Sequence, residues 1–183
     1  NTSVTKGYKN SVLAIGNFDG VHVGHKKVLN AAYKKAKEIK KKFGLLTFEP
    51  VPVMFFNKKI INHRLDTLPQ KISNLKNKKL DFVIIQKFNR RFSKLSYQDF
   101  IYKVLHKEIK CKYLYVSKNF KFGNKREGNV SKLKKFEKKL FYKTIITPPL
   151  TKKKKTISST IIRKLLKRGE IKKANYLLNR KWE

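Results

Sequence analysis

Short apolar runs alternate with stretches of helical spacing from one end of the chain to the other. Val12–Ile15 is continuous and brief, which predicts a buried strand. A helix follows from about Val23 to Lys42, with Val28, Ala32, Ala36, Ile39 and Phe43 on one face at three- and four-residue spacing. Gly44 is read as its stop and Leu45–Phe48 as a second strand. Two prolines in Glu49-Pro50-Val51-Pro52 exclude a helix interior and a central strand, so this stretch is expected to be a loop. Pro69 to Leu80 has helical spacing and Asp81–Ile85 forms a third strand. Ser96-Tyr97-Gln98-Asp99 is an acidic variant of a capping box and opens a helix through about Glu108. Tyr113–Val116 is strand four, Val130–Leu140 a helix and Phe141–Thr147 strand five. Ser158-Ser159-Thr160 caps a helix running to Lys167, Gly169 ends it, and Ile171–Leu178 is the last helix.

Strands separated by helices require crossover connections. The predicted fold class is therefore α/β: a mostly parallel sheet of five to six strands with helices on both faces. No repeat or linker interrupts the alternation, and residues 1–183 read as one domain. In such a sheet ligands bind outside the carboxyl ends of the strands. The loops after strands one, two and four are thus expected to face a common crevice.

The first of those loops is Gly16-Asn17-Phe18-Asp19-Gly20-Val21-His22-Val23-Gly24-His25. Strand, tight loop and helix start form a junction where free N–H groups and the helix dipole receive a phosphate. His22 and His25 fall on one face of the first turn, and Gly24 lets a ligand approach the backbone. Imidazoles placed there can donate to charge developing on a phosphate under attack. The same letters would suit a surface turn with two incidental histidines; the strand–loop–helix setting favours the nucleotide site.

Three further segments take their meaning from the crevice. Ser158-Ser159-Thr160-Ile161-Ile162-Arg163 places hydroxyls at a helix start with an arginine one turn in, a second phosphate cradle or an ordinary N-cap. Lys118-Asn119-Phe120-Lys121-Phe122-Gly123 follows strand four, where Asn119 could bond a nucleotide sugar or phosphate. There the alternation of Phe120 and Phe122 predicts one ring in the core and one in the crevice. Phe48 to Phe56 is a proline-stiffened apolar platform suited to a flat ring system, or simply core. Glu49 is the carboxylate nearest to it, thin support for a metal ligand. His63 and His106 lie outside these loops and are assigned no catalytic role.

Composition narrows the classes. Hydrophobic residues at 40% and aromatics at 12% argue for a packed core rather than disorder. The single Cys111 forbids an internal disulfide and fits a reducing, cytoplasmic setting. No apolar run reaches the roughly 20 residues of a membrane helix. No zinc spacing and no Ser-His-Asp or Cys-His arrangement is found, so a covalent mechanism has no nucleophile. The net charge of +36 would suit a polyanion partner, but of 47 basic residues only seven are arginine, and the lysines are spread over every segment. Solvated faces of a lysine-biased chain explain it, with a general attraction for polyanions at low salt as a side effect. The run Lys152–Lys155 before the second cradle is read as a solvated loop that can concentrate polyphosphate nearby.

These residues in combination resemble the FMN adenylyltransferase module of bacterial bifunctional riboflavin kinase/FAD synthetases, within the His-x-Gly-His nucleotidyltransferase superfamily. The segments that carry the resemblance are GNFDGVHVGH at 16–25, FEPVP at 48–52, FNRRFSKLSYQDF at 88–100, NFKFG at 119–123 and ISSTIIR at 157–163. It implies a Rossmann-like nucleotidyltransferase fold and transfer of AMP from ATP to FMN, giving FAD and pyrophosphate with Mg²⁺, by direct in-line attack. It implies that His22 and His25 contact the ATP phosphates and that Gly16, Asn17, Phe18, Asp19 and Gly24 line the nucleotide. Asn119 would sit near the reacting phosphates, and Ser159, Thr160 and Arg163 would hold the β- and γ-phosphates. Pro50, Pro52, Phe56 and Phe122 would bound the flavin. The metal ligands stay unassigned. Val51 stands where the family commonly has histidine, and Thr156 where many members carry a basic residue. The kinase module's phosphate motif is found nowhere in these residues, so riboflavin kinase activity is not expected of this chain. A related enzyme with another phosphorylated acceptor, or a catalytically weak polyanion-binding relative, are the competing readings.

Overall fold

A computed structural model describes residues 6–60, 63–76, 79–152 and 155–183. The strands β1 (Val12–Ile15), β2 (Phe43–Glu49), β3 (Phe82–Lys87), β4 (Tyr113–Ser117) and β5 (Lys143–Thr147) form one sheet in the order β3-β2-β1-β4-β5. Every neighbouring pair is parallel, as the alternation of strand and helix predicts. The period of two along β1 divides the core. Val12 and Ala14 pack on one face against Leu29, Ala32 and Ala36 of α1 (Val23–Glu38) and Leu75 of α3 (Leu68–Lys76). Leu13 and Ile15 face the other way, with Leu114 and Val116, onto Phe100, Ile101, Val104, Leu105 and Ile109.

The shorter elements complete this frame. The helix α2 (Pro52–Phe56) follows β2, and α4 (Arg90–Ser93) and α5 (Tyr97–Asp99) follow β3. A π-helix over Phe100–Ile109 continues α5. Beyond β4 come α6 (Val130–Lys135) and α7 (Glu137–Leu140). Past β5, a two-stranded antiparallel ribbon, β6 (Thr151–Lys152) with β7 (Lys155–Thr156), leads into α8 (Ser159–Lys167) and α9 (Ile171–Leu178). The tip of the lysine run at 153–154 lies outside the described residues, as do the side chains of Lys152 and Lys155.

Several boundaries depart from the sequence reading. The first helix stops at Glu38, because Lys40 takes a left-handed conformation (φ 51°) that turns the chain toward the sheet. Phe43, expected on the helix face, is instead the first residue of β2, and Leu29 supplies the buried contact. Gly44 is not a helix stop. It pairs with Phe82 in β3, and a Cβ on it would sit 2.1 Å from the Phe82 ring. The expected loop at 50–52 contains the start of α2, with Pro52 in the first turn, where a missing N–H costs nothing. The predicted helix 130–140 breaks at Phe136, and Phe141 is left-handed (φ 57°) and exposed rather than in β5. The helix from Pro69 ends at Lys76, and Lys79 (φ 58°) is left-handed. Ser96 does cap α5 as expected, its Oγ accepting the Asp99 N–H at 3.0 Å.

Adjacent β1 and β4 leave the sheet toward opposite edges: the chain goes from β1 to β2 and β3, then returns beside β1 to continue through β4 and β5. That reversal opens a crevice at their carboxyl ends. Among the described residues no helix is long and apolar enough to cross a membrane. Gly44→Ala is expected to lower stability by roughly 1–3 kcal/mol through overpacking against Phe82, read as a shift of the urea midpoint at unchanged slope.

Candidate active site

Between β1 and α1 the chain must reverse within a few residues, and it does so with strain. Phe18 (φ 47°), Gly20 (φ 80°) and Val21 (φ 38°) all lie in the left-handed region. For an aromatic and a β-branched residue this costs on the order of 1–3 kcal/mol each. Burial of both side chains offsets it, Phe18 being 2% exposed and Val21 1%. The Thr47 hydroxyl donates to Asn17 O at 3.0 Å and fixes the loop from the β2 side.

Asp19, at the crevice wall, is almost fully buried and held by its neighbours. One carboxylate oxygen accepts the Leu65 N–H at 2.8 Å and the other accepts from Arg163 Nη1 at 2.7 Å. Burial raises its pKa, and the Leu65 N–H and the Arg163 guanidinium only partly compensate. Its carbonyl receives the Ser159 hydroxyl at 2.8 Å. The first cradle and the second are therefore bonded to each other through one residue.

His22 is the N-cap of α1, its Nδ1 accepting the His25 N–H at 3.3 Å. That bond assigns the proton of the neutral ring to Nε2, which becomes a donor. The two imidazoles stack, with centroids 3.6 Å apart and planes 15° from parallel, and the edge of the pair rests near Phe18. Burial lowers the His22 pKa to about 4. His25 is pushed well below its usual value by burial first, then by His22 and Lys71. Both rings are thus neutral donors at pH 7. His25 Nδ1 is shut away without a hydrogen-bond partner among the described residues, leaving Nε2 to meet a ligand. Gly24 makes the stack possible, since a Cβ there would lie 3.1 Å from the His22 ring.

The crevice encloses about 940 Å³, near the top of the range for small-molecule sites and roomy enough for two ring systems. Of the residues singled out by sequence, Gly16, Asn17, Phe18, Asp19, His22, Gly24, His25, Pro52, Phe56, Asn119, Phe122, Ser159, Thr160 and Arg163 all line it. Pro50 does not; it stands behind the loop, joined to Glu49 by a cis peptide. Ser158 caps α8, accepting the Ile161 N–H at 3.4 Å, and the first N–H groups of that helix have no intrahelical partner. Thr160 Oγ1 accepts from Arg163 Nη2 at 3.4 Å.

Phe120 and Phe122 divide only in part between core and crevice: Phe122, 7% exposed, belongs to the core and also lines the crevice, and the half-buried Phe120 packs against it. The chain turns after β4, with the Phe120 N–H bonded to Ser117 O at 3.0 Å, so the rings stack at 5.4 Å and both line the site. Sequence reasoning also missed part of the aromatic wall: Phe88 and Phe92 join Phe48 and Phe56 in edge-on or tilted contacts of 5.6–6.2 Å. His63, set aside from the sequence, lines the crevice, and its carbonyl accepts from Arg163 Nη1 at 3.3 Å. Thr147 to Leu150, after β5, belong to the wall too; the rule that placed the other loops would have found them.

A resident metal finds no ligand set here. Asp19 is bonded through both oxygens, Glu49 pairs with Arg64, and no cluster of three metal-ligating residues exists among those described. Lys71 is buried at 1% exposure among these charges, with burial lowering its pKa against the pull of Glu49 and Asp19.

A parallel α/β sheet with the starts of α1 and α8 opening on one crevice defines a nucleotidyltransferase-like, Rossmann-type protein. The FAD synthetase family model matches residues 5–161, and the chain belongs to that family. It is 42% identical over 172 residues to the bifunctional riboflavin kinase/FMN adenylyltransferase of Buchnera aphidicola subsp. Schizaphis graminum, covering 93% of this chain and 55% of that protein. The namesake from Haemophilus influenzae is 36% identical over 168 residues, 92% of this chain and 54% of its own. The chain thus spans about half the length of the curated relatives it matches. Among solved structures, one described as a macrolide-efflux protein from Streptococcus pneumoniae superposes with TM-score 0.85 at 24% identity, over 98% of this chain and 57% of that one. A pantoate–β-alanine ligase from Francisella tularensis gives TM-score 0.56 at 18% identity, over 97% and 72%. Both likenesses carry the fold alone.

The histidine pair makes stability depend on pH. His22 has a folded pKa of about 4 against 6.5 unfolded, so between those values the unfolded chain binds the extra proton. Stability falls as pH drops through that window, by up to about 3 kcal/mol from this residue. His22→Asn keeps an oxygen for the His25 N–H and removes the titration. It is expected to flatten the fall, as urea midpoints at pH 7.5 and 5 will read.

Proposed function

We propose that this chain is an FMN adenylyltransferase that moves AMP from ATP to FMN, releasing FAD and pyrophosphate. The observation that carries the reading is the stacked, neutral His22–His25 pair sharing one crevice with the start of α8, Arg163 and an aromatic wall. A phosphate oxygen of FMN attacks the α-phosphorus of ATP in line; the new O–P bond forms as the bond to the pyrophosphate oxygen breaks. No residue becomes covalently attached in this direct transfer.

Charge then builds on the oxygens around the α-phosphorus and on the departing pyrophosphate. His22 Nε2–H and His25 would donate to the first, at the positive end of α1. The N–H groups of Ser159 and Thr160 and the free edge of the Arg163 guanidinium would hold the second. The Ser159 hydroxyl already donates to Asp19 O, so its backbone N–H is the better donor. Asn119, at the end of β4, would bond close to the reacting phosphates. Pro52, Phe56 and Phe122, with Phe88 and Phe92, offer apolar faces for the isoalloxazine ring. Mg²⁺ would enter with the triphosphate as MgATP.

FMN supply calls for a riboflavin kinase, and the relatives' names join that activity to this one. We place a kinase module, covalent or separate, upstream of this reaction, in the cytoplasm. The buried free thiol of Cys111, its pKa pushed up to about 12, fits a reducing compartment.

Incubation with MgATP and either FMN or riboflavin, followed by chromatography, tests the reading: FAD is expected from FMN and none from riboflavin. His25→Ala is expected to lower turnover by roughly 10²–10³ while the chain still folds by circular dichroism. Unchanged turnover would remove His25 from the mechanism. Phe56, 69% exposed at the crevice mouth, can be truncated without opening the core. Phe56→Ala should raise the KM for FMN more than that for ATP; an equal rise would deny the flavin contact.

A further inference from the structure

Arg163 does not hold its own position. Nη1 is fixed by the Asp19 carboxylate at 2.7 Å and by His63 O at 3.3 Å. Asp19 in turn depends on Leu65, whose N–H reaches its other oxygen at 2.8 Å. Leu65 is 3% exposed, packed with Ile162 of α8 and Ala174 and Leu178 of α9. Its side chain lies so close to Gly20 that a Cβ there would be 2.7 Å from Leu65 Cδ1. One residue thus touches the strained loop, the arginine helix and the last helix.

The far side of Leu65 is held by the segment after α9. Trp182 Nε1–H donates to Leu65 O at 2.9 Å, and Trp182 N–H donates to Asn175 Oδ1 of α9 at 2.8 Å. Arg180 pairs with Asp66, itself 3% exposed and bonded by Asn74 Nδ2 at 3.1 Å. Lys26 of α1 donates to Leu178 O at 3.1 Å. From the indole to the guanidinium there is an unbroken series of bonds: Trp182 to Leu65, Leu65 to Asp19, Asp19 to Arg163. Bonds on both sides of Leu65 fix the two peptide groups that flank it.

We propose that Trp182 and Arg180 are positioning residues for Arg163: the segment after α9 braces residues 63–66, and through Asp19 it sets the guanidinium that receives the triphosphate. This rests on the reading of Arg163 as a phosphate ligand given above. Arg180 and Trp182 are not among the residues that line the crevice, so they act through residues 63–66; Asp19 carries that to Arg163, while Arg64 of the same segment pairs with Glu49 ahead of the proline loop.

Calorimetric titration of the full chain with MgATP, without FMN so that nothing turns over, is the test. Trp182→Phe keeps an aromatic ring and loses the indole N–H along with the second ring. It is expected to weaken ATP roughly three- to tenfold, the net worth of one hydrogen bond, and to raise the KM for FMN by less. In an Arg163→Ala background the same change is expected to have no further effect. Equal weakening in both backgrounds, or none in either, overturns the brace. Trp182 is also the chain's sole tryptophan, so its emission reports the other direction. MgATP is expected to shift that emission in the unaltered chain and not in Arg163→Ala. A silent tryptophan with ATP bound overturns the proposal even if Trp182→Phe fails to fold. FAD formation by the unaltered chain, and weaker ATP binding by Arg163→Ala, report separately on the underlying reading. With both in hand, an unmoved Trp182→Phe sinks the brace alone. If Arg163→Ala binds ATP normally, the brace falls with that reading.

Discussion

Asp19 brings together stretches of chain that sequence keeps more than a hundred residues apart. Its carboxylate meets Leu65 and Arg163, and its carbonyl meets Ser159. A carboxylate this buried is costly to keep charged, and its pKa rises accordingly. A hydrogen-bonded guanidinium and a backbone N–H are what make the burial tolerable. In return, the loop after β1 and the start of α8 are locked at a fixed separation. A triphosphate reaching across the crevice would meet two helix starts whose spacing was set before it arrived, which lowers the entropic cost of ordering the site. The strain in Phe18 and Val21 belongs to the same arrangement, since the loop could relax only by moving Asp19 with it.

The histidines follow a parallel logic on a smaller scale. Their stacking at 3.6 Å is a poor arrangement for two cations and a reasonable one for two neutral rings. Burial and mutual contact hold both uncharged, so the pair presents donors without fixed positive charge of its own, which Arg163 supplies in the same crevice. Overall charge is the opposite: +36 in total, spread mainly over exposed lysines. Long-range attraction of an anionic ligand would be weakened by salt, and hydrogen bonds inside the crevice little affected.

Much of this could be read from the chain, and the parts that could not share a cause. The parallel sheet, the crevice at its carboxyl ends and the two cradles follow from local pattern, because strand, loop and helix start are adjacent in sequence. Phe43 and Gly44 were misassigned because the helical period runs on past Glu38, and only pairing with Phe82 shows that the chain has already entered the sheet. Phe120 and Phe122 lost their alternation to a turn closed by Ser117. Asp19 and Ser159 both line the crevice, but their bonding to each other is long-range and leaves no mark on either motif. Phe88, Phe92 and His63 fall in the same class, since only the tertiary path folds their segments over the crevice.

The eleven acidic residues tell a further story. Asp81 accepts the Phe43 N–H at 2.8 Å, Glu137 the Thr144 N–H at 2.7 Å and Glu127 the Tyr97 N–H at 3.0 Å, each pinning a strand or helix to another element or loop. Asp19, Glu49 and Asp66 hold arginines beneath the crevice. Asp99, Glu38 and Glu170 pair with lysines on their own helices. A chain this basic has thus kept its negative charges chiefly where the backbone is fastened to itself. Its lysines are numerous and largely interchangeable; its acids work as rivets. Further drift toward lysine therefore meets a mechanical limit well before a solubility limit, because the next acid replaced is more often a fastening than a surface group.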